Sequence, residues 1–220
     1  KTAYEIGVRL VGSEMCIRDS DSIYLVEPET ITYTNKLGEK TITKTITLYP
    51  DDFIMDIDID ASSVSADILG GSFLFSWPGG LPTTEKDTTT EKTYFGAYLQ
   101  QGGELLDIKA GSGEAFNNEY KGQTDWAAIR TKYFVAALLD NGENQIVGST
   151  ISASNKGKEL YDIGIELPAN ERVAVSLYLG PLEYDRIKSL NINLESIMNF
   201  GWAIICLLYT SPSPRDGLLS

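Results

Sequence analysis

The stretch DIDIDASSVSAD sets Asp56, Asp58, Asp60 and Asp67 at positions 1, 3, 5 and 12 of a calcium-binding loop. Two features oppose that chemistry. Position 6 is Ala61 where the sharp turn needs glycine, and Ile57 and Ile59 alternate with the aspartates as the inward residues of a strand would. The segment is therefore expected to be a strand with a polar face. Carboxylates are plentiful, 31 against 18 lysines and arginines, so the acid and base pair of a glycoside hydrolase is compatible with composition. Nothing in the spacing marks two of them as buried and paired, and solvated strand faces account for most. Trp77, Trp126, Tyr94 and Tyr98 could line a sugar platform, but packing in the core or on strand faces is the stronger reading.

Histidine is absent. Without it there is no Ser-His-Asp or Cys-His nucleophile system and no histidine-held metal. No cofactor or catalytic residue is indicated, and the chain is expected not to be an enzyme. The net charge of −13 and the lack of any basic run interleaved with aromatics argue against nucleic acid as a partner.

The two cysteines, Cys16 and Cys206, lie in end segments that have neither strand alternation nor helical periodicity. Written back through the genetic code, Cys206 to Asp216 can be spelled by the mosaic end and read primer of a tagmentation library, and Leu10 to Asp19 by the opposite strand. One sample index also fits both Ile6 to Arg9 and Gly217 to Leu219. Residues 1–20 and 206–220 are accordingly expected to be adapter-derived and no part of the fold. The authentic part then contains no cysteine, so disulfide and thiol chemistry do not arise and no compartment follows from cysteine usage.

Residues 21–205 suffice for one domain with a sizeable core. From Asp21 to Leu179 short β-patterned runs alternate with turn clusters: TITYT, KTITKTITLYP, DFIMDIDID, GSFLFSW, TYFGAYLQ, AIRTKYFVAALL, QIVGSTISAS, ELYDIGIEL and RVAVSLYLG. Many short strands with little helix between them predict a mainly β, antiparallel sandwich over 21–180. Pro82 to Thr93 is polar and without apolar anchors, and reads as a mobile surface loop. Gly111 to Asp125 reads as a second long connection, anchored by Phe116 and Tyr120.

After Gly180 the period changes. Gly180 and Pro181 suit the cap and first position of a helix, and Ile187, Leu190, Leu194, Ile197 and Met198 recur at three- and four-residue steps. An amphipathic helix is expected over 181–199, with Asn191 and Asn193 as a point where it can break. The sandwich is expected to take Ile187 and Leu190, and the lipid-proximal end to begin near Ile197. FGWAII follows. Its aromatic pair, Phe200 and Trp202, suits a membrane interface, and 200–205 reads as the start of a truncated transmembrane helix.

Three stretches together resemble the periplasmic domain of the YidC membrane protein insertases. DWAAIRTKYFVAALL is similar to that family's Trp-x-Ala segment followed by Tyr-Phe, SLYLGPLEYDRIKSL to its Leu-Tyr-x-Gly-Pro junction, and FGW to the entry of its second transmembrane helix. The matching positions are Trp126, Tyr133, Phe134, Tyr178, Gly180, Pro181, Gly201 and Trp202. Leu182 stands where a lysine is common and Asn199 where an aspartate is, and neither position carries chemistry.

The resemblance implies a β-supersandwich shaped like galactose mutarotases, incomplete at its N-terminus and closed by an amphipathic helix at the membrane surface. It implies a periplasm-facing part of a bacterial inner-membrane protein. Its partners would be nascent membrane proteins, the Sec translocon with its accessory subunits, and the bilayer through the C-terminal helix. The competing class is a carbohydrate-binding or mutarotase-like sandwich. Shape alone does not carry that activity, and the mutarotase mechanism needs the histidine that is missing here.

Overall fold

The computed structural model describes residues 25–108, 115–143, 145–153 and 160–198. Among them, alternating threonine and isoleucine builds the hairpin β1 (Glu29–Leu37) and β2 (Lys40–Leu48), followed by β3 (Ile54–Asp60). Then come β4 (Ser72–Trp77), β5 (Gly96–Gln101), β6 (Glu104–Ile108), β7 (Phe116–Lys121), β8 (Thr124–Arg130) and β9 (Phe134–Asp140). The strands end with β10 (Gly148–Ala153), β11 (Tyr161–Pro168) and β12 (Arg172–Pro181). Short helices are α1 (Thr88–Lys92) and α2 (Tyr184–Ser189), with 3-10 turns at Ser62–Asp67 and Leu194–Ile197.

The strands form two antiparallel sheets, ordered β1-β2-β3-β12-β9-β8-β5-β6 and β4-β11-β10-β7. Period-two alternation turns one face of each toward the other. Ile57, Ile59, Leu99, Ile129, Leu138, Val173 and Val175 of the large sheet share one buried cluster with Ile151, Ile163, Ile165 and Leu167 of the small one. The expected mainly β antiparallel sandwich is what the chain forms.

Three expectations are corrected. AIRTKYFVAALL is not one strand but the end of β8, a turn and β9. The Thr131 hydroxyl accepts the amides of Tyr133 and Phe134 at 3.3 and 3.1 Å, and this side chain turns the backbone where β-propensity alone suggests continuity. The connection 111–125 contains β7, which pairs with β10, and its anchors Phe116 and Tyr120 do pack against the core. Pro82 to Thr93 holds α1, capped by Asp87, whose carboxylate accepts from the amides of Thr89 and Thr90.

The chain divides into two compact units after Pro181. In the second, helix does not begin at Pro181: β12 runs through that residue, and α2 starts at Tyr184 behind an extended Glu183. Pairing with β9 holds Gly180 and Pro181 in the sheet. Asn191 and Asn193 both adopt positive φ, 55° and 61°, a region that asparagine tolerates, and the helix breaks there. Ile187, Leu194 and Ile197 are all buried. The expected boundary segments 1–20 and 206–220, and the positions Phe200, Gly201 and Trp202, lie outside the described residues.

Candidate functional site

The aspartates of the calcium-like stretch are used up one at a time. Asp56, Asp58 and Asp60 alternate along β3 as expected of a polar strand face. Asp56 accepts from the Tyr49 and Ser176 hydroxyls at 2.6 and 2.7 Å, Asp58 pairs with Arg172 at 3.0 Å, and Asp67 pairs with Lys40 at 2.6 Å. Asp60 accepts from the Ser62 hydroxyl and amide, which hold its carboxyl below the ordinary range. Hydrogen bonding to Asp56 pushes the Tyr49 phenol up.

The aromatics are not brought to one open surface either. Trp126 and Tyr98 are buried, Trp77 donates its indole N–H to the Gly80 carbonyl at 2.9 Å, and of the four only Tyr94 is exposed. The packing reading of these residues is the one realised.

The outer face of the small sheet forms a groove of about 530 Å³ over Ser72, Leu74, Ser152, Asp162 and Glu166. Its two carboxylates on β11 are four residues apart along one strand. That sets them about 13 Å from each other at ~3.3 Å per residue, beyond the separations used by glycoside hydrolases. Both already have donors. Glu166 accepts from Lys121 at 2.7 Å and from the Ser72 hydroxyl, which lower its pKa, and Asp162 accepts the Gly79 amide.

The six motif positions among the described residues lie on three neighbouring strands and the turn between two of them. Trp126 on β8 pairs with Leu139 of β9, Tyr178 on β12 pairs with Ala137, and Pro181 pairs with Phe134. Trp126 and Tyr178 are buried, while Tyr133 and Phe134 are exposed at the turn. The Tyr178 hydroxyl donates to the Pro181 carbonyl at 2.8 Å, tying the end of β12 to its own middle. Gly180 is required by close approach: a Cβ there would lie 2.6 Å from Cγ of Phe53.

Beside this strip lies a charged cluster that sequence reasoning missed. Glu91 of α1 is fully buried, and its carboxylate accepts the amides of Thr84 and Glu85 and the Thr84 hydroxyl at 2.8 to 3.0 Å. Burial pushes its pKa up, but these hydrogen bonds outweigh burial and leave it lowered. Glu85 in turn accepts from Tyr133 and Lys132, which hold it low. The Lys132 ammonium lies 2.9 Å from Glu85 and sits over the rings of Tyr133 and Tyr94, and its pKa is raised. The one sequence signal for this cluster was Asp87 ahead of three threonines as a helix cap. Nothing local distinguishes Glu91 from the exposed acids around it.

The carboxylates of Glu85, Glu91, Asp162 and Glu166 each accept from a neighbouring amide, hydroxyl or ammonium. Among the described residues no group of three or more acids or cysteines could hold a metal ion, and no helix is long and apolar enough to cross a membrane.

A family model described as the YidC periplasmic domain matches residues 26–207. Among curated proteins the chain is 32% identical over 172 residues to "Membrane protein insertase YidC" of Chlorobium luteolum, covering 74% of this chain and 29% of that protein. It is 31% identical over 216 residues to the protein of the same name from Chlorobaculum parvum, covering 89% and 36%. The chain thus spans about a third of the length of these relatives. A galactose mutarotase related enzyme from Lactobacillus acidophilus aligns over 69% of this chain and 68% of its own at 13% identity and a TM-score of 0.38.

Proposed function

From the membership of this chain in the YidC periplasmic-domain family, shown by a match that runs continuously over residues 26–207, we propose that it is the periplasm-facing part of a bacterial inner-membrane protein insertase. In this reading it is non-enzymatic. It assists insertion and folding of nascent membrane proteins, alone or with the Sec translocon and its accessory subunits, by offering them a rigid β surface. Residues 21–180 are the sandwich, 181–199 lead the chain to the bilayer, and 200–205 open a transmembrane helix. Residues 1–20 and 206–220 stand outside the domain.

The lack of histidine and the full engagement of Glu91, Glu85, Asp162 and Glu166 support a binding role over a catalytic one. The positions Trp126, Tyr133, Phe134, Tyr178, Gly180 and Pro181 form the strip from which the chain departs toward the membrane, and Gly201 and Trp202 mark the entry to it.

The test is to resequence the source gene past the codon for Ile205. The proposal requires an apolar run of about twenty residues directly after Trp202, and loss of membrane-protein insertion when 25–198 are deleted from the whole protein. A polar continuation, or binding of glycans and turnover of an aldose by the isolated chain, would favour the carbohydrate class instead.

A further inference from the structure

The large sheet ends, on the side where the chain leaves it, in a transverse row of backbone pairs. Leu179 donates its amide to the Phe53 carbonyl at 2.9 Å, Pro181 pairs with Phe134, Thr131 donates its amide to the Phe134 carbonyl at 2.8 Å, and Gly96 pairs with Arg130. This row collects Phe53, Tyr94, Tyr133 and Phe134, whose exposures are 37, 43, 42 and 41%. Of the large aromatics exposed among the described residues of the first unit, only Tyr33 lies elsewhere. The turns at the opposite end of the same sheet, 102–103, 122–123 and 141–143, are exposed and carry glycine, glutamine, asparagine and glutamate without an aromatic. An ordinary soluble sandwich has no reason to sort its half-exposed aromatics to one end.

We propose that this rim is a membrane-interface contact, in which Phe53, Tyr94, Tyr133 and Phe134 settle into the headgroup layer of a zwitterionic phospholipid surface. Rings of this kind, with an apolar body and in tyrosine a polar tip, are enriched where water meets lipid. Charge selects the lipid. Lys132, the cation lying over the Tyr94 and Tyr133 rings, is already paired with Glu85, Asp51 and Asp52 precede Phe53, and the chain carries −13 overall. Attraction to anionic headgroups is therefore absent.

Chain continuity selects the membrane over a protein partner. The strand ends at Pro181 within this row, and the eighteen residues 182–199 separate it from FGWAII. With ten of them in α2 and the following 3-10 turn, the tether reaches at most about 45 Å. The inference rests on the reading that 200–205 enter a bilayer.

The test uses the chain with Cys16→Ser and Cys206→Ser, spin-labelled singly at Phe134→Cys, Leu37→Cys or Ile204→Cys, on vesicles of phosphatidylcholine and phosphatidylethanolamine. Collision with oxygen relative to a water-soluble nickel chelate is expected to be about threefold higher at 134 than at 37, on the opposite rim. Equal ratios at 134 and 37 would overturn the rim contact. Shielding of 134 from both reagents would also overturn it, because it would mean that a protein covers the rim. The label at 204 reports membrane entry separately: lipid exposure there with equal ratios at 134 and 37 rejects the rim alone, and water exposure at 204 rejects the tether. Tyr94→Cys repeats the measurement should Phe134→Cys fail to fold.

Discussion

In the strip of β8, β9 and β12, every residue from Trp126 to Thr131 and from Val135 to Leu139 is buried, whereas in the connection 82–93 beside it the one buried side chain is Glu91. The first region is held by apolar area spread over many contacts. The second is held by a few charge-assisted hydrogen bonds converging on two carboxylates. They should fail differently. Loss of volume in the strip has no local remedy and must weaken the whole sandwich, while loss of one carboxylate should free the connection and leave the sheets standing.

The largest effect is expected from Trp126→Ala, which empties a fully buried site: a loss of about 3–5 kcal/mol in urea unfolding. A loss under about 1 kcal/mol would mean that the strip is not where stability lies. Gly180→Ala comes next. Its Cβ meets Cγ and Cβ of Phe53 rather than the tip of a flexible chain, so a loss of about 1–3 kcal/mol is expected. Phe53→Ala in the same chain should restore part of it, and strict additivity in that double-mutant cycle would refute the clash as the cause.

Glu91→Gln should leave the unfolding midpoint near its original value while cleavage by a nonspecific protease within 82–93 rises about tenfold. Global destabilisation instead would erase the distinction between the regions. The same cleavage should depend on pH. Glu91, Glu85 and Asp87 all have lowered pKa values. Their contribution is therefore complete above the ordinary carboxylate range and is lost as pH falls through the lowered values. An acid-active protease should find the connection closed at about pH 5 and progressively open below about pH 4. Opening on the alkaline side, between neutral pH and the lysine range, would contradict this, because the raised pKa of Lys132 keeps it charged there.

The smallest effect belongs to Lys40→Ala. The Lys40–Asp67 pair is as short as the others, but its partners are 41 and 64% exposed. Its removal should cost less than about 0.5 kcal/mol in the same urea titration, showing that desolvation and convergence, more than ion-pair distance, strengthen the 82–93 cluster.

Much of the sandwich was legible because period-two alternation is a local property. KTITKTITL, IMDIDID and RVAVSLYLG carry it in the residues themselves, and they are β2, β3 and most of β12. The misread places are those where a single side chain redirects the backbone: Thr131 cutting AIRTKYFVAALL into two strands, and Asp87 turning a low-complexity polar run into α1. β7, FNNEYK, is a strand because β10 pairs with it, and its own pattern is too polar to announce that. At Pro181 local helix-start chemistry was present, but pairing with β9 outweighed it.

The sequence by itself determined the fold class, the absence of histidine chemistry, the acidic surface and the motif residues that place the chain in its family, because composition and short-range periodicity need no partner to be read. Only the tertiary structure decided which of many like residues matter. Nothing in the sequence separates Glu91 from its exposed neighbours, or gathers Phe53, Tyr94 and the adjacent Tyr133 and Phe134, from three distant segments, on one rim. Burial, hydrogen-bond convergence and strand register arise from pairings between distant segments, and a sequence pattern records each segment without recording whom it meets.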